Sequence, residues 1–195
     1  FLKNRKEELF YAAPNYVEDH FGPGWAWGDY NSYYSAERGD FPFHGNYLTI
    51  KYKEGSPIPT TTPSIFQDSL RTRENSTSTR SRAVRNISKN QFDYQHLRGN
   101  KGYIQEVPFK YSSELVAALL SDTLQRPVTF LPHVPKFLQP EKTLYSIPSD
   151  SMYKRMLQVS DNFIAEQVLL LAAGKLADTL KAEIAIEHML ENHLQ

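Results

Sequence analysis

Helical periodicity is confined to the chain beyond Ser112, and this segregation limits the fold more than any other feature of the sequence. Apolar residues first recur at helical spacing over 113–124, where Ser112 or Ser113 can cap the first turn and Pro127 stops the helix. Further helices are predicted towards the C-terminus, at about 150–158, 162–173 and 180–193. The sequence therefore predicts an α+β fold with a helical C-terminal part.

The part of the chain before the helices has the composition of turns and short strands. Aromatic residues, Gly and Pro crowd 21–43, which favours an ordered loop and strand. Alternation of apolar and polar residues in 44–52 predicts a strand whose even-numbered side chains share one face. Ser, Thr, Arg and Asn dominate the sequence beyond it, with β-type pieces at 81–87 and 102–107 and a reverse turn at 98–100.

The predicted helix 162–173 is apolar nearly all round, and Gly174 is expected to end it. A helix with this pattern is expected to lie deep within a core. The rest of the chain does not obviously supply enough apolar surface to cover it. We therefore expect the chain to self-associate or to repack its helices.

Charge and composition exclude several classes of protein. The chain has 22 basic and 22 acidic side chains, so its formal net charge is zero and no global charge favours nucleic acid or an acidic membrane as a partner. It has no cysteine, which rules out a disulfide scaffold, a Cys-ligated zinc and a thiol nucleophile. The six histidines lack metal-ligand spacing, and no apolar run is long enough to span a membrane. We therefore predict no metal, no cofactor, no nucleic-acid partner and no transmembrane segment in this chain.

Five arginines lie between 70 and 86 and allow a rival function. Spaced arginines on a β segment can bind phosphates or an acidic glycan. The run has little aromatic interleaving and no known nucleic-acid-binding motif, which favours a solvated face of the β-rich region. These arginines are Arg71, Arg73, Arg80, Arg82 and Arg85.

The tripeptide Ser160-Asp161-Asn162 places a hydroxyl and a carboxamide just before the apolar helix. Within a helix, residues two apart point roughly 200° apart, so both side chains can face one cleft only on a turn that enters the helix. There the hydroxyl can pass a proton to a leaving group, and the carboxamide can hold a peptide group. The alternative is ordinary capping of the helix N-terminus.

Three blocks of the sequence, in the same order, resemble one enzyme family. In the block 146–171 the tripeptide opens a helix that reads N-x-x-A-E-x-x-L, with Asn162, Ala165, Glu166 and Leu169 at the fixed positions. The block 104–120 resembles the segment that follows an inserted region in the family's sequences. The block 22–37 resembles the family's Gly-Trp-x-Trp-x-Asp stretch near the mouth of the active site. The family is that of the serine-type D-alanyl-D-alanine carboxypeptidases and endopeptidases of the penicillin-binding protein 4 type, peptidase family S13.

The resemblance implies a penicillin-binding, serine β-lactamase-like transpeptidase fold and an enzyme of the periplasm or cell envelope. Such enzymes hydrolyse the D-Ala-D-Ala bond of peptidoglycan stem peptides, and sometimes cross-links, through an acyl-serine intermediate that β-lactams trap. They use the motifs Ser-x-x-Lys, Ser-x-Asn and Lys-Thr-Gly. By this resemblance Ser160 and Asn162 are catalytic, and the partners are the stem peptide and β-lactam antibiotics.

Only the middle motif is in place within these 195 residues. Lys-Thr-Gly does not occur, and the resemblance puts the nucleophile before Phe1. We therefore expect an internal fragment of the enzyme that is inactive by itself. Ser151 and Lys154 fit Ser-x-x-Lys literally, but they lie too close to Ser160, because the family separates the two motifs by a long insertion.

The aromatic block offers a second group of candidate residues. Trp25, Trp27 and Asp29 combine an aromatic floor with a carboxylate, which suits a cationic or amino-bearing side chain of the stem peptide. The alternative is a small aromatic core that holds a loop in place. A role in specificity depends on Asp29.

The sequence divides into three predicted parts. Residues 1–52 form an aromatic strand and loop segment at the edge of the catalytic domain, 53–125 a β-rich inserted region, and 126–195 the helical part with Ser-x-Asn. A second function stays open, in which the same blocks form a non-catalytic module that binds a peptide or glycan of the cell envelope.

Overall fold

The computed structural model describes residues 2–4, 6–13, 15–56, 58–73, 82–95, 102–134 and 147–193. Arg80 and the turn predicted at 98–100 lie outside these ranges. The strands are β1 Leu9–Tyr11, β2 Tyr47–Lys53, β3 Thr60–Thr62, β4 Leu70–Arg73, β5 Arg82–Arg85, β6 Phe92–Gln95, β7 Gly102–Pro108 and β8 Val128–Phe130. The helices are α1 Ser113–Leu124, α2 Ser149–Val159, α3 Asn162–Ala177 and α4 Ala182–Asn192. No helix within the described ranges has both the length and the apolarity needed to cross a bilayer.

Strand β2 is the centre of a three-stranded antiparallel sheet in the order β3-β2-β7. Leu48 and Ile50 are fully buried, which confirms the alternation predicted for this strand. Glu106 of β7 pairs with Thr49, so it shares the outward face of the sheet with Tyr47. This register later places Glu106 and Tyr47 in the same cleft.

A second three-stranded sheet, in the order β4-β6-β5, packs on the same core. The Phe66 ring lies 5.8 Å from that of Phe92 on β6 and 5.3 Å from that of Phe109. Helix α1 completes this core with Val116 and Leu119, which are fully buried. Because burying a side chain of this size stabilises by about 1.5–3 kcal/mol, this shared core is the main source of stability for the β-rich part.

Helix α1 begins and ends where the sequence predicts. Ser112 Oγ accepts a hydrogen bond from the Leu115 N–H at 3.2 Å, and Gln125 ends the helix in the left-handed conformation, with φ 54°. Strands β1 and β8 pair in parallel, which ties the first residues of the chain to the strand that follows α1. The division at residues 52 and 125 stays a prediction.

Helix α3 is longer than predicted. It runs through Gly174 to Ala177 and ends at Asp178, whose φ is 50°. Gly174 serves close packing rather than ending the helix, because a Cβ atom there would lie 2.8 Å from Leu180 Cδ2. The next helix consequently starts later than predicted, at Ala182.

Helix α3 also lies less deep than its composition predicts. Its buried face consists of Phe163, Gln167, Leu170 and Ala173. Leu171 is 54% exposed, so the described residues do not cover this helix on every side, in agreement with the expectation that the chain lacks enough apolar surface to do so. The self-association expected from this apolar surface stays a prediction.

The aromatic segment 21–43 contains turns and no strand, which corrects part of the prediction for it. Two short 3-10 turns, Trp27–Asp29 and Tyr33–Ser35, replace the expected strand. The first turn is closed by a hydrogen bond of 3.0 Å from the Asp29 N–H to the Ala26 carbonyl. Local hydrogen bonds of this kind use the backbone groups that a strand would offer to a neighbour.

Arg85 is buried, which corrects the prediction that the arginine run forms a solvated face. Its side chain is 1% exposed, and its Nη2 donates to Glu37 Oε1 at 3.1 Å. Burial lowers the pKa of Arg85, and the Glu37 carboxylate opposes this by raising it. The second Glu37 oxygen accepts a hydrogen bond from the Tyr111 N–H at 2.8 Å. The described arginines of the run that do face solvent are Arg71, Arg73 and Arg82.

Arg38, the residue after Glu37, is directed towards the helices. Its guanidinium lies 3.0 Å from the Glu18 carboxylate and 3.0 Å from that of Glu166 on α3. Glu18 also accepts a hydrogen bond of 2.6 Å from the N–H of Ala182, the first residue of α4. One buried guanidinium therefore links the N-terminal segment, α3 and α4.

We expect Arg38→Ala to lower the free energy of unfolding by about 3 kcal/mol, because Glu18 would remain buried without its cation. We take the lower end of the range of costs for removing one partner of a buried ion pair, because Glu166, the second partner of Arg38, is partly exposed. Arg73→Ala removes the exposed ion pair with Asp93 and should lower the free energy of unfolding by at most about 1 kcal/mol. Urea unfolding followed by circular dichroism measures both values, and equal losses would show that Arg38 acts only as a surface ion.

Candidate functional site

The residues Ser160, Asp161 and Asn162 form the turn that joins α2 to α3. Helix α2 ends at Ser160, which adopts the left-handed conformation with φ 52°. Asp161 caps α3, since its Oδ1 accepts a hydrogen bond from the Ile164 N–H at 3.0 Å. Because Asp161 supplies the cap, the exposed side chains of Ser160 and Asn162 are not needed for it.

Ser160 and Asn162 both line a cleft of about 600 Å³, here called the Ser160 cleft. The turn and α3 form one side, and the other includes Tyr33 and Tyr34 of the aromatic loop and the Tyr47–Glu106 face of the sheet. The apolar side chains that line it from the helices are Met152, Val159, Phe163, Ile164, Val168 and Leu171. A cleft of this size, mostly apolar with a few polar groups, can hold a peptide segment.

The Tyr47 phenol in this cleft is protonated at neutral pH. Burial raises its pKa most, the carboxylates of Glu106 and Asp161 raise it further, and Arg155 lowers it. A hydrogen bond to Glu106 raises it as well. A protonated phenol can donate a hydrogen bond to a peptide carbonyl. Because this single donor is directed to Glu106, a ligand carbonyl would have to compete with that carboxylate for it.

Trp25 and Asp29 line a second cleft of about 300 Å³, here called the Trp25 cleft. Tyr34 and Asn162 line both clefts, so the two are contiguous. Trp27 lines neither of them and is 80% exposed. The structure therefore brings the other predicted site residues together around Asn162 and leaves Trp27 outside.

The two carboxylates of the Trp25 cleft have different surroundings. Glu166 forms an ion pair with Arg38, a cation that it shares with Glu18, so its charge is only partly compensated. Asp29 has no ion-pair partner among the residues that the structure describes. The negative charge of this cleft therefore comes mainly from Asp29, with a smaller contribution from Glu166.

A third cleft, of about 560 Å³ and here called the Arg82 cleft, adjoins the Ser160 cleft. The two share Tyr33, Tyr34 and Glu106. Sequence analysis missed this cleft because its walls come from the aromatic loop, β5 and β7, which are distant in sequence. They meet through the hydrogen bonds that Asn31 and Gln105 form with the backbone of β5. Tyr34 lines all three clefts, and its only signal in the sequence is the crowding of aromatic residues.

Among the described residues, neither the Ser-x-x-Lys pair nor a metal site is found at these clefts. Ser151 and Lys154 are exposed on α2 and line none of the three. Within the described ranges, no three His, Asp or Glu side chains are grouped so that they could hold a metal ion.

Comparison with known proteins identifies the fold. No protein-family profile matches the chain, and no curated protein is significantly similar in sequence. The chain has a penicillin-binding-protein fold, which confirms the predicted α+β class. A solved structure that it matches is penicillin-binding protein 4 from Haemophilus influenzae, with a TM-score of 0.66 and 15% sequence identity over 94% of this chain. The chain spans 45% of the length of that protein.

Removing the helix cap and removing Asn162 should affect stability differently. We expect Asp161→Ala to lower the free energy of unfolding by about 1 kcal/mol, because α3 loses its capping hydrogen bond. Asn162→Ala should change it by less than about 0.5 kcal/mol, because the side chain is exposed. Chemical denaturation of the two variants tests this, and an equal loss in Asn162→Ala would assign that residue a structural role.

Proposed function

We propose that this chain forms the Ser-x-Asn element and the peptide-binding clefts of a serine-type D-Ala-D-Ala peptidase of the cell envelope. The observation that carries the proposal is that Ser160 and Asn162 line one cleft while Asp161 alone caps the helix. The penicillin-binding-protein fold and the resemblance of three sequence blocks to peptidase family S13 support it. The substrate is the stem peptide of peptidoglycan, and β-lactams are its inhibitors.

In the proposed reaction a serine outside the Ser-x-Asn motif attacks the carbonyl carbon of the penultimate D-Ala. The C–N bond then breaks, and the leaving amine takes up the proton that the attacking hydroxyl loses. Water later hydrolyses the acyl-serine, which releases the peptide carboxylate and restores the serine hydroxyl. The Ser160 hydroxyl lies at the end of α2, where it passes a proton to the departing amine. Help of this kind typically accelerates a reaction by about 10²- to 10⁴-fold.

Asn162 has a different role in this proposal. Its carboxamide has both donor and acceptor atoms, so it can bind a carbonyl and an N–H of the peptide backbone at once. Because Asn162 lines both the Ser160 cleft and the Trp25 cleft, it holds the substrate where the two meet. Its loss should weaken binding of substrate and acylation by β-lactams.

The Trp25 cleft suits an amino-bearing side chain of the stem peptide. The Asp29 carboxylate is uncompensated among the described residues, and the indole of Trp25 can contact a cation with its face. Trp27 is exposed outside the cleft, so it would contact only a ligand that extends beyond the rim. The proposed specificity therefore depends on Trp25 and Asp29.

The second candidate function is a non-catalytic module that binds a peptide of the cell envelope. It is favoured by the position of the Ser-x-x-Lys match, which lies outside the three clefts. Both functions require a peptide in the Ser160 cleft. They differ in whether a protein that includes the two missing motifs forms an acyl-serine.

We expect the purified chain to bind a peptide that ends in D-Ala-D-Ala, and Asn162→Ala to weaken this binding by about 5- to 150-fold. This range corresponds to about 1–3 kcal/mol for leaving buried peptide groups without a partner. Isothermal titration calorimetry measures the Kd. Asn192→Ala, which changes an exposed asparagine at the end of α4, is the matched control and should leave the Kd unchanged. Equal affinities for all three proteins would rule out the role given to Asn162.

We expect a fluorescent penicillin to leave no covalent label on the 195-residue chain, because only one of the three catalytic motifs is in place. Denaturing gel electrophoresis after incubation tests this. A labelled band that disappears in Ser151→Ala would make Ser151 the nucleophile and overturn our assignment of the motifs. A longer protein with all three motifs that takes the label would be the enzyme rather than the binding module.

A further inference from the structure

The Arg82 cleft has no role in the function proposed above. It continues from the Ser160 cleft, because Tyr33, Tyr34 and Glu106 line both. Its volume of about 560 Å³ is close to that of the Ser160 cleft and lies within the usual range for small-molecule sites. A ligand that fills the Ser160 cleft and extends past the two tyrosines therefore enters a second cleft of similar size.

The two charged residues of the Arg82 cleft have opposite signs. Arg82 and Glu106 both line it, and both are exposed. Arg82 forms no ion pair with a described carboxylate, and Glu106 forms none with a described cation. Because the two charges sum to zero, the cleft offers little net attraction to an ion of either sign. It therefore suits a neutral ligand that forms hydrogen bonds.

The hydrogen-bonding groups of this charged pair are complementary. A guanidinium only donates hydrogen bonds, and a carboxylate only accepts them. Glu106 accepts one hydrogen bond from Tyr47, and a carboxylate has lone pairs for more. A hydroxyl group both donates and accepts, so the hydroxyls of one ligand can bind Arg82 and Glu106 alike. A ligand rich in hydroxyl groups meets this requirement.

The amide side chains of the Arg82 cleft hold its wall in place. Asn31 Nδ2 donates to the Ala83 carbonyl at 3.2 Å, and Asn31 Oδ1 accepts from the Arg85 N–H at 2.7 Å. Gln105 Oε1 accepts from the Ala83 N–H at 2.9 Å, and its Nε2 donates to the Ala83 carbonyl at 3.0 Å. Because these bonds form without a ligand, binding costs less conformational entropy at this wall.

Apolar side chains are exposed beside these polar groups. Ile104 is 64% exposed and Tyr33 is 61% exposed, and both line the Arg82 cleft. The rings of Tyr33 and Tyr34 lie 5.6 Å apart at 80°, and this edge-to-face contact leaves at least one face of each ring free. An aromatic face attracts the positively polarised C–H groups of a ligand. A pyranose ring has a C–H face and a rim of hydroxyls, so it matches both features of the cleft.

We propose that the Arg82 cleft binds the N-acetylmuramyl sugar to which the stem peptide is attached. This inference rests on the proposed function, because it places the D-Ala-D-Ala end of the peptide at Ser160. Three residues separate that end from the sugar, and they span about 10 Å when extended. A cube with the volume of the Ser160 cleft, about 600 Å³, has an edge of about 8 Å, so these residues can cross it. The protein thereby recognises the peptide as part of a glycan rather than alone.

The test compares two ligands that differ in the sugar. One is a stem pentapeptide that ends in D-Ala-D-Ala and carries an N-acetyl group, and the other carries an N-acetylmuramyl group in its place, so both have the same charge. Calorimetry gives the Kd of each for the wild-type chain, for Arg82→Gln, for Ile104→Ala and for the double variant. Ile58→Ala is the matched control, because Ile58 is 53% exposed and lines none of the three clefts.

We expect the wild-type chain to bind the muramyl peptide about 2- to 12-fold more tightly than the acetyl peptide, as for one additional hydrogen bond. Arg82→Gln and Ile104→Ala should each reduce this preference, the double variant should abolish it, and Ile58→Ala should retain it. Neither Arg82 nor Ile104 lines the Ser160 cleft, so the Kd of the acetyl peptide should stay unchanged in every variant. Added salt should leave the preference unchanged, because the sugar is neutral.

Equal Kd values of the two peptides for the wild-type chain overturn this inference and leave the proposed function intact. A preference that survives in the double variant does the same, because the sugar then binds elsewhere. If the folded chain binds neither peptide, the proposed function is contradicted and this inference falls with it. Circular dichroism of each variant verifies that it is folded.

Discussion

The buried dipeptide Glu37-Arg38 is the constraint on which the arrangement of this molecule depends. Glu37 faces the β-rich core, where it binds Arg85 and a backbone N–H, and Arg38 faces the helices, where it binds Glu18 and Glu166. A buried charge that loses its partner is strongly destabilising, so both sets of contacts must form together. One short segment therefore fixes the helices relative to the sheets.

This constraint also positions the clefts. Glu166 is on α3, four residues after Asn162, so its ion pair with Arg38 sets the orientation of the helix that begins at the Ser-x-Asn turn. Gln167, next to it, donates to the Gly39 carbonyl at 3.0 Å and accepts from the Gly39 N–H at 3.1 Å. The aromatic loop ends just before the same segment, so the clefts on both sides of Tyr34 depend on the same contacts.

Local patterns in the sequence predicted the elements that local interactions determine. The strand at Leu48 and Ile50, helix α1 with its Ser112 cap and the turn at Ser160 all follow from residues close in sequence. The burial of Arg85 and the Arg82 cleft were missed, because each depends on contacts between distant segments. The prediction that Gly174 ends the helix was wrong for the same reason, since the role of this glycine depends on how closely Leu180 packs against it. The roles of the candidate site residues stay predictions.

The two helices that meet at Ser160 are held with unequal strength. Helix α2 has no buried residue, whereas α3 has a buried face and is fastened to the segment before Asp40 by Glu166 and Gln167. Local opening is least costly where few apolar groups are buried, so amide hydrogens should exchange faster in α2 than in α3. The Ser160 cleft thus lies between one firmly packed helix and one loosely packed helix, so displacement of α2 is the least costly way to widen it.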